Sequence, residues 1–109
     1  MAYDLGLSER IRLHLQSVAS FEEKKMFGGV CYMVEGHLAC GVHKDGLLVR
    51  LSSDEYVAAL TKPHTHPFEL TRKPMVGWLV VDRDGTTADS DLNAWINQSL
   101  GFIRTLPPK

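Results

Sequence analysis

Cysteine is scarce in this chain, charge of either sign is not in excess, and no long apolar run is present. Two cysteines among 109 residues cannot build the disulfide framework on which small secreted scaffolds depend. Their C-x8-C spacing matches no zinc or thioredoxin signature, so Cys31 and Cys40 read as reduced, buried apolar residues. Lys plus Arg number 12 against 13 Asp plus Glu, a formal net charge of −1. Such a balance offers no electrostatic grip on a phosphate backbone, so direct nucleic-acid binding is not expected. No apolar stretch reaches the length of a membrane span. The first residues, Met1-Ala2-Tyr3-Asp4, lack the basic and apolar regions of a secretory signal. The expectation is therefore a cytoplasmic protein with no membrane partner. Internal repeats are absent as well.

What is present is an ordinary globular composition, 44% hydrophobic and 23% charged. The length suits a single domain spanning residues 1–109. Leu7, Ile11, Leu15 and Val18 recur at helical spacing and predict a first helix over about residues 5–20, capped by Asp4 or Ser8. Ser52-x-x-Glu55 is a capping box that opens a second helix, stopped by Pro63. Residues 61–75 hold three prolines and read as a long loop with a short edge strand near Phe68–Leu70. Val76–Val81 is a further strand. A third helix over about residues 88–105 turns Leu92, Trp95, Ile96, Ser99 and Ile103 inward. The fold class that follows is α+β, two layers in the order αβββαββα. A mostly antiparallel five-stranded sheet carries its helices on one face.

The Glu35-Gly36 and Asp45-Gly46 pairs sit between apolar runs and predict tight hairpins. Two-residue loops would set Cys31 opposite Cys40, Tyr32 opposite Ala39 and Val42 opposite Val49. One sheet face would then carry Phe27, Cys31, Met33, Leu38, Cys40, Val42, Val49 and Leu51 as the core surface. The other would carry Gly28, Val30, Tyr32, Ala39, Gly41, His43, Leu48 and Arg50. A free antiparallel face should alternate toward polar residues, so this small, apolar outer face with an arginine in it reads as an interface or ligand groove. The alternative is that a helix or the 61–75 loop covers it. Tyr32, Gly41, His43, Leu48, Arg50 and Lys73 are the candidate partner- or ligand-binding residues.

Other chemistry is poorly supported. His64 and His66 in Pro-His-Thr-His-Pro form a lone H-x-H, too little for a structural zinc site, and no metal or other cofactor is expected. None of the serines sits in a G-x-S-x-G setting. Gly28-Gly29 opens no helix and so cannot cradle a phosphate. The carboxylate pairs Glu22-Glu23 and Asp89/Asp91 lie at element ends, where solvation and helix capping account for them. No catalytic residue is assigned.

Met26-Phe27-Gly28-Gly29 resembles the MFGG signature of TfoX/Sxy N-terminal domains. The likeness continues through Gly36, the Asp-Gly-Leu-Leu-Val-Arg hairpin ending at Arg50, Pro67-Phe68, Met75, Trp95 and the Leu-Pro-Pro-Lys ending of single-domain members. The resemblance implies a two-layer fold like that of secretion chaperones. It also implies a link to competence and transcription co-regulation. Full-length members carry a second, helical domain, and this chain ends where it would begin, so roles that need that domain are not carried over. The expectation is a non-enzymatic regulatory module that forms a homodimer or docks on a protein partner. The alternative is a small anionic-ligand-binding domain that uses the outer face around Arg50.

Overall fold

A computed structural model describes residues 4–26, 28–44, 46–70 and 73–107, with only the backbone of Met26, Glu69, Leu70 and residues 73–75. The elements are α1 (Leu5–Val18), β1 (Glu22–Met26), β2 (Gly29–Val34), β3 (His37–His43), β4 (Gly46–Arg50), α2 (Ser53–Ala59), β5 (Thr65–Leu70), β6 (Lys73–Val81), a 3-10 turn (Arg83–Thr86) and α3 (Asp89–Ile103). Asp4 caps α1 by accepting from the Leu7 amide at 3.1 Å. The Ser52/Glu55 capping box is present on α2. The strands form one sheet in the order β1-β2-β3-β4-β6-β5, antiparallel throughout.

The α+β class with helices on one face is therefore as expected, with six strands in place of five. The additional strand is β1, whose sequence Glu-Glu-Lys-Lys-Met carries no apolar alternation for sequence reading to detect. Among the described residues it pairs with β2 alone, at the edge of the sheet. A charged edge strand of this kind resists pairing with foreign strands.

Residues from all three helices pack with Val30, Tyr32, Val34, Ala39, Cys40, Val42, Leu47, Val49, Leu51, Leu79 and Val81 in the main core. This corrects the expected faces. Val30 and Tyr32 meet the helices, while Cys31, Met33 and Leu38 lie in a second, smaller cluster on the other face with Leu48 and Phe68. The cause is a bulge. Val34 pairs with His37 and Met33 with Leu38, as the Glu35-Gly36 turn requires, and both turn residues have positive φ (54° and 82°). Ala39 is then skipped, so Tyr32 pairs with Cys40 and Cys31 with Gly41. A single extra residue moves every later side chain of one strand to the opposite face relative to its partner.

The second hairpin differs without changing faces. His43 pairs with Gly46 and Cys40 with Val49, a shift of two residues from the expected register. Side-chain direction repeats every two residues, so Cys40, Val42, Val49 and Leu51 still face the core. Phe27 and Asp45 lie outside the described residues.

Cys31 and Cys40 consequently point to opposite sides of the sheet and are free thiols, both buried. Burial pushes the Cys31 thiol up to about 11 and raises Cys40 as well. Neither is a ready nucleophile.

Two hydrogen bonds secure the bulge region to the helices. The Ser99 hydroxyl of α3 donates to the carbonyl of the unpaired Ala39. The Tyr32 hydroxyl donates to the Ser8 carbonyl of α1 at 3.1 Å. Ser99 is fully buried, so Ser99→Ala should strand a buried carbonyl. The expected loss is about 1–3 kcal/mol of stability, read as a lower urea midpoint at unchanged slope. A midpoint equal to that of the wild type would show that the bulge does not rely on this bond.

Candidate functional site

The candidate residues do not converge on one open surface. Tyr32 is on the helix face, fully buried, edge-on to Phe21 at 5.6 Å between ring centroids. Its phenol is pushed up to about 12, chiefly by burial. It belongs to the core, not to a contact face. Gly41 is on the outer face, but a Cβ there would lie 2.5 Å from the Val30 carbonyl oxygen. The glycine is needed for close strand approach at the bulge, not for a flat docking region. Leu48 is 1% exposed and packs under Phe68 of β5. The centre of the outer face is thus a small covered core. Lys73 lies on β6, and its side chain is outside the described residues.

His43 and Arg50 remain at opposite ends of that face. His43 is half-buried and stands edge-on to Phe68 at 5.1 Å. Its Nδ1 has no hydrogen-bond partner among the described residues. Arg50 is half-buried where β4 ends. Its guanidinium carbon lies 5.5 Å from the centroid of Trp78 on β6 and 5.7 Å from that of Phe102 on α3. Both distances are within the range of cation–π attraction. Among the described residues, the guanidinium has no ion pair or hydrogen bond. The sequence points to Arg50 but not to Phe102. Trp78 is legible as part of the Val76–Val81 strand, whereas Phe102 reaches the site only through the packing of α3.

A second polar grouping lies at the far end of β5 and β6. Asp82 follows β6, caps the 3-10 turn, and accepts from His66 Nε2 at 2.9 Å through Oδ2. Its Oδ1 is 3.3 Å from His64 Nδ1. The His66 hydrogen bond holds the Asp82 carboxyl below the usual carboxylate range, although the group is largely solvated. His64 and His66 fall within the segment that the sequence presents as a long loop. They belong to a structured corner because the Asp82 amide donates to the His64 carbonyl at 2.8 Å. Their approach to residue 82 depends on the β5–β6 pairing, which no local motif encodes.

Cavities flank this corner on two sides. One of about 420 Å³ is bordered by Lys62, His64, Asp84, Trp95 and Gln98. Another, of about 280 Å³, lies among His43, His66, Phe68, Val80 and Asp82. Lys62 Nζ sits 5.2 Å from the Trp95 ring centroid at the first. Gly85 makes the corner possible, because a Cβ there would come within 2.8 Å of the His64 Cβ and 2.6 Å of Val81 Cγ1. Gly85→Ala should therefore cost about 1–3 kcal/mol through overpacking. The expected readout is a lower melting temperature with displaced amide resonances at His64 and Val81. An unchanged spectrum at those positions would contradict the close contact.

The family model described as TfoX N-terminal domain matches residues 14–103. No curated protein and no solved structure matches the chain. Among the described residues, no helix is long and apolar enough to cross a membrane.

Proposed function

Since the chain belongs to the TfoX N-terminal domain family, we propose that it is a non-enzymatic regulatory module of the cytoplasm that acts through protein–protein contacts centred on Arg50. The observation that carries this reading is the Arg50 guanidinium, placed beside Trp78 and Phe102 with none of its donors engaged among the described residues. A planar guanidinium held near two rings loses little freedom when a carboxylate takes its N–H edge in bidentate fashion. Arg and Trp are also the residue types that dominate interface energetics. The partner chemistry this favours is an acidic side chain beside an apolar one, carried by a second copy or by another protein.

Several features support the non-enzymatic half. The hydroxyls of Ser8, Ser17 and Ser99 donate to backbone carbonyls, and burial holds both thiols protonated. The net charge of −1 favours a protein partner over nucleic acid. A small dicarboxylate bound by the same guanidinium is the second reading, and it rests on the same unengaged donors.

Self-association should appear in sedimentation equilibrium of the wild type. Arg50→Ala should weaken it more than tenfold, in line with a loss of about 2 kcal/mol at an interface anchor. The half-exposed position predicts an unchanged fold by circular dichroism. A wild type that stays monomeric, with its Trp78 indole resonance moved by succinate, would favour the ligand reading. A monomer whose indole does not respond would sink the self-association and ligand readings and leave only a different protein as partner.

A further inference from the structure

We propose that His64, Asp82 and Asp84 form a binding site for a divalent transition ion of the zinc type, with His66 as a positioning residue. Each of the three offers one donor atom, and these atoms all lie within 4.8 Å of one another. The shortest recorded separation is 3.3 Å, between His64 Nδ1 and Asp82 Oδ1. Zinc bonds to imidazole nitrogen and carboxylate oxygen of about 2.0–2.1 Å, at a tetrahedral angle, require donors about 3.3–3.4 Å apart. The pair therefore already spans one edge of a tetrahedral site, and Asp84 needs only a side-chain adjustment to supply a third ligand.

The backbone gives an independent reason to regard the corner as built. His64 has a φ of 68°, a left-handed conformation that costs a residue with a side chain on the order of 1–3 kcal/mol. Gly85 leaves out the Cβ that would strike the His64 side chain in this pose. The carbonyl of the same histidine is tied to the Asp82 amide, so ring and carboxylate are fixed on a shared frame. Asp82 also caps the 3-10 turn through Gly85 N at 3.3 Å, and Asp84, two residues along, borders the 420 Å³ cavity that His64 also lines. His66 engages Oδ2 of Asp82, while Oδ1, which accepts from Gly85 N, also faces His64 Nδ1. Ligating carboxylates characteristically have an outer hydrogen bond of this kind.

Imidazole with two carboxylates suits zinc and its first-row neighbours better than magnesium or calcium, which prefer all-oxygen shells. Three protein ligands leave at least one position for water or a small anion. That position would open toward the 420 Å³ cavity, where Lys62 provides a positive charge.

The full chain should be titrated with zinc chloride by calorimetry and by amide NMR. The expected result is one saturable equivalent, with resonances of residues 64, 66 and 82–85 moving first. His64→Ala and Asp84→Asn should each weaken binding at least tenfold while leaving the metal-free spectrum otherwise intact, since both side chains are solvent-exposed. His14→Ala, at a histidine bonded to Asn97, should bind as the wild type does. His66→Ala should lose affinity, and His66→Gln, which restores a donor, should regain it; equal loss in both would remove His66 from its positioning role. No saturable binding, or binding that survives both His64→Ala and Asp84→Asn, would overturn the site. Magnesium producing the same shifts at the same concentration would overturn it too.

Discussion

Ala39, skipped in the β2–β3 ladder, decides which side of the sheet meets the helices. Without it, Cys31 and Met33 would face the core beside Cys40 and Val42. With it, Val30, Tyr32 and Val34 take those places. The consequences reach across the molecule. Tyr32 can hydrogen-bond α1, Ser99 of α3 takes the carbonyl that the ladder left over, and Gly41 must be glycine because the strands close on each other beside the bulge. Bulges increase local twist and re-aim side chains. Here the bulge lets one six-stranded sheet bury a large core on one face and a small one on the other.

That second core limits where function can sit. Phe68, reaching in from the edge strand, packs over Leu48 and Cys31, so the middle of the outer face is filled. Polar chemistry is left to the two ends of the face. At one end Arg50 meets Trp78 and Phe102. At the other, Asp82 gathers His64 and His66. Both groupings combine a side chain from a strand or its end with one from a different element. Their geometry thus depends on tertiary packing, and anything that loosened the bulge or the β5–β6 pairing would disturb them.

Much of the architecture was legible in the sequence because it is written locally. Helix caps, apolar spacing at 3.6 residues, proline stops and X-Gly turns located the helices and hairpins. The α+β class with one helical face followed from them. Strand β1 was not legible, since Glu22–Lys25 look like any solvated segment. The bulge left no mark either: Leu38-Ala39-Cys40 is as apolar as a regular strand, and the two hairpin registers agreed with each other on the wrong assignment for β2. That error moved Tyr32 to the outer face and made Gly41 appear open. Arg50 survived as a site candidate because it lies on β4, whose side-chain direction the two-residue shift of the second hairpin preserved. The His64–Asp82 corner was missed because its residues are eighteen positions apart and meet only through strand pairing.

The bulge is tested most directly by cross-strand nuclear Overhauser contacts in the labelled protein. Contacts between Met33 and Leu38 and between Cys31 and Gly41, together with Tyr32 ring contacts to Phe21 and the first turns of α1, are the predicted result. A continuous ladder that sets Cys31 opposite Cys40 and Tyr32 opposite Ala39, with the Tyr32 ring away from α1, would contradict it.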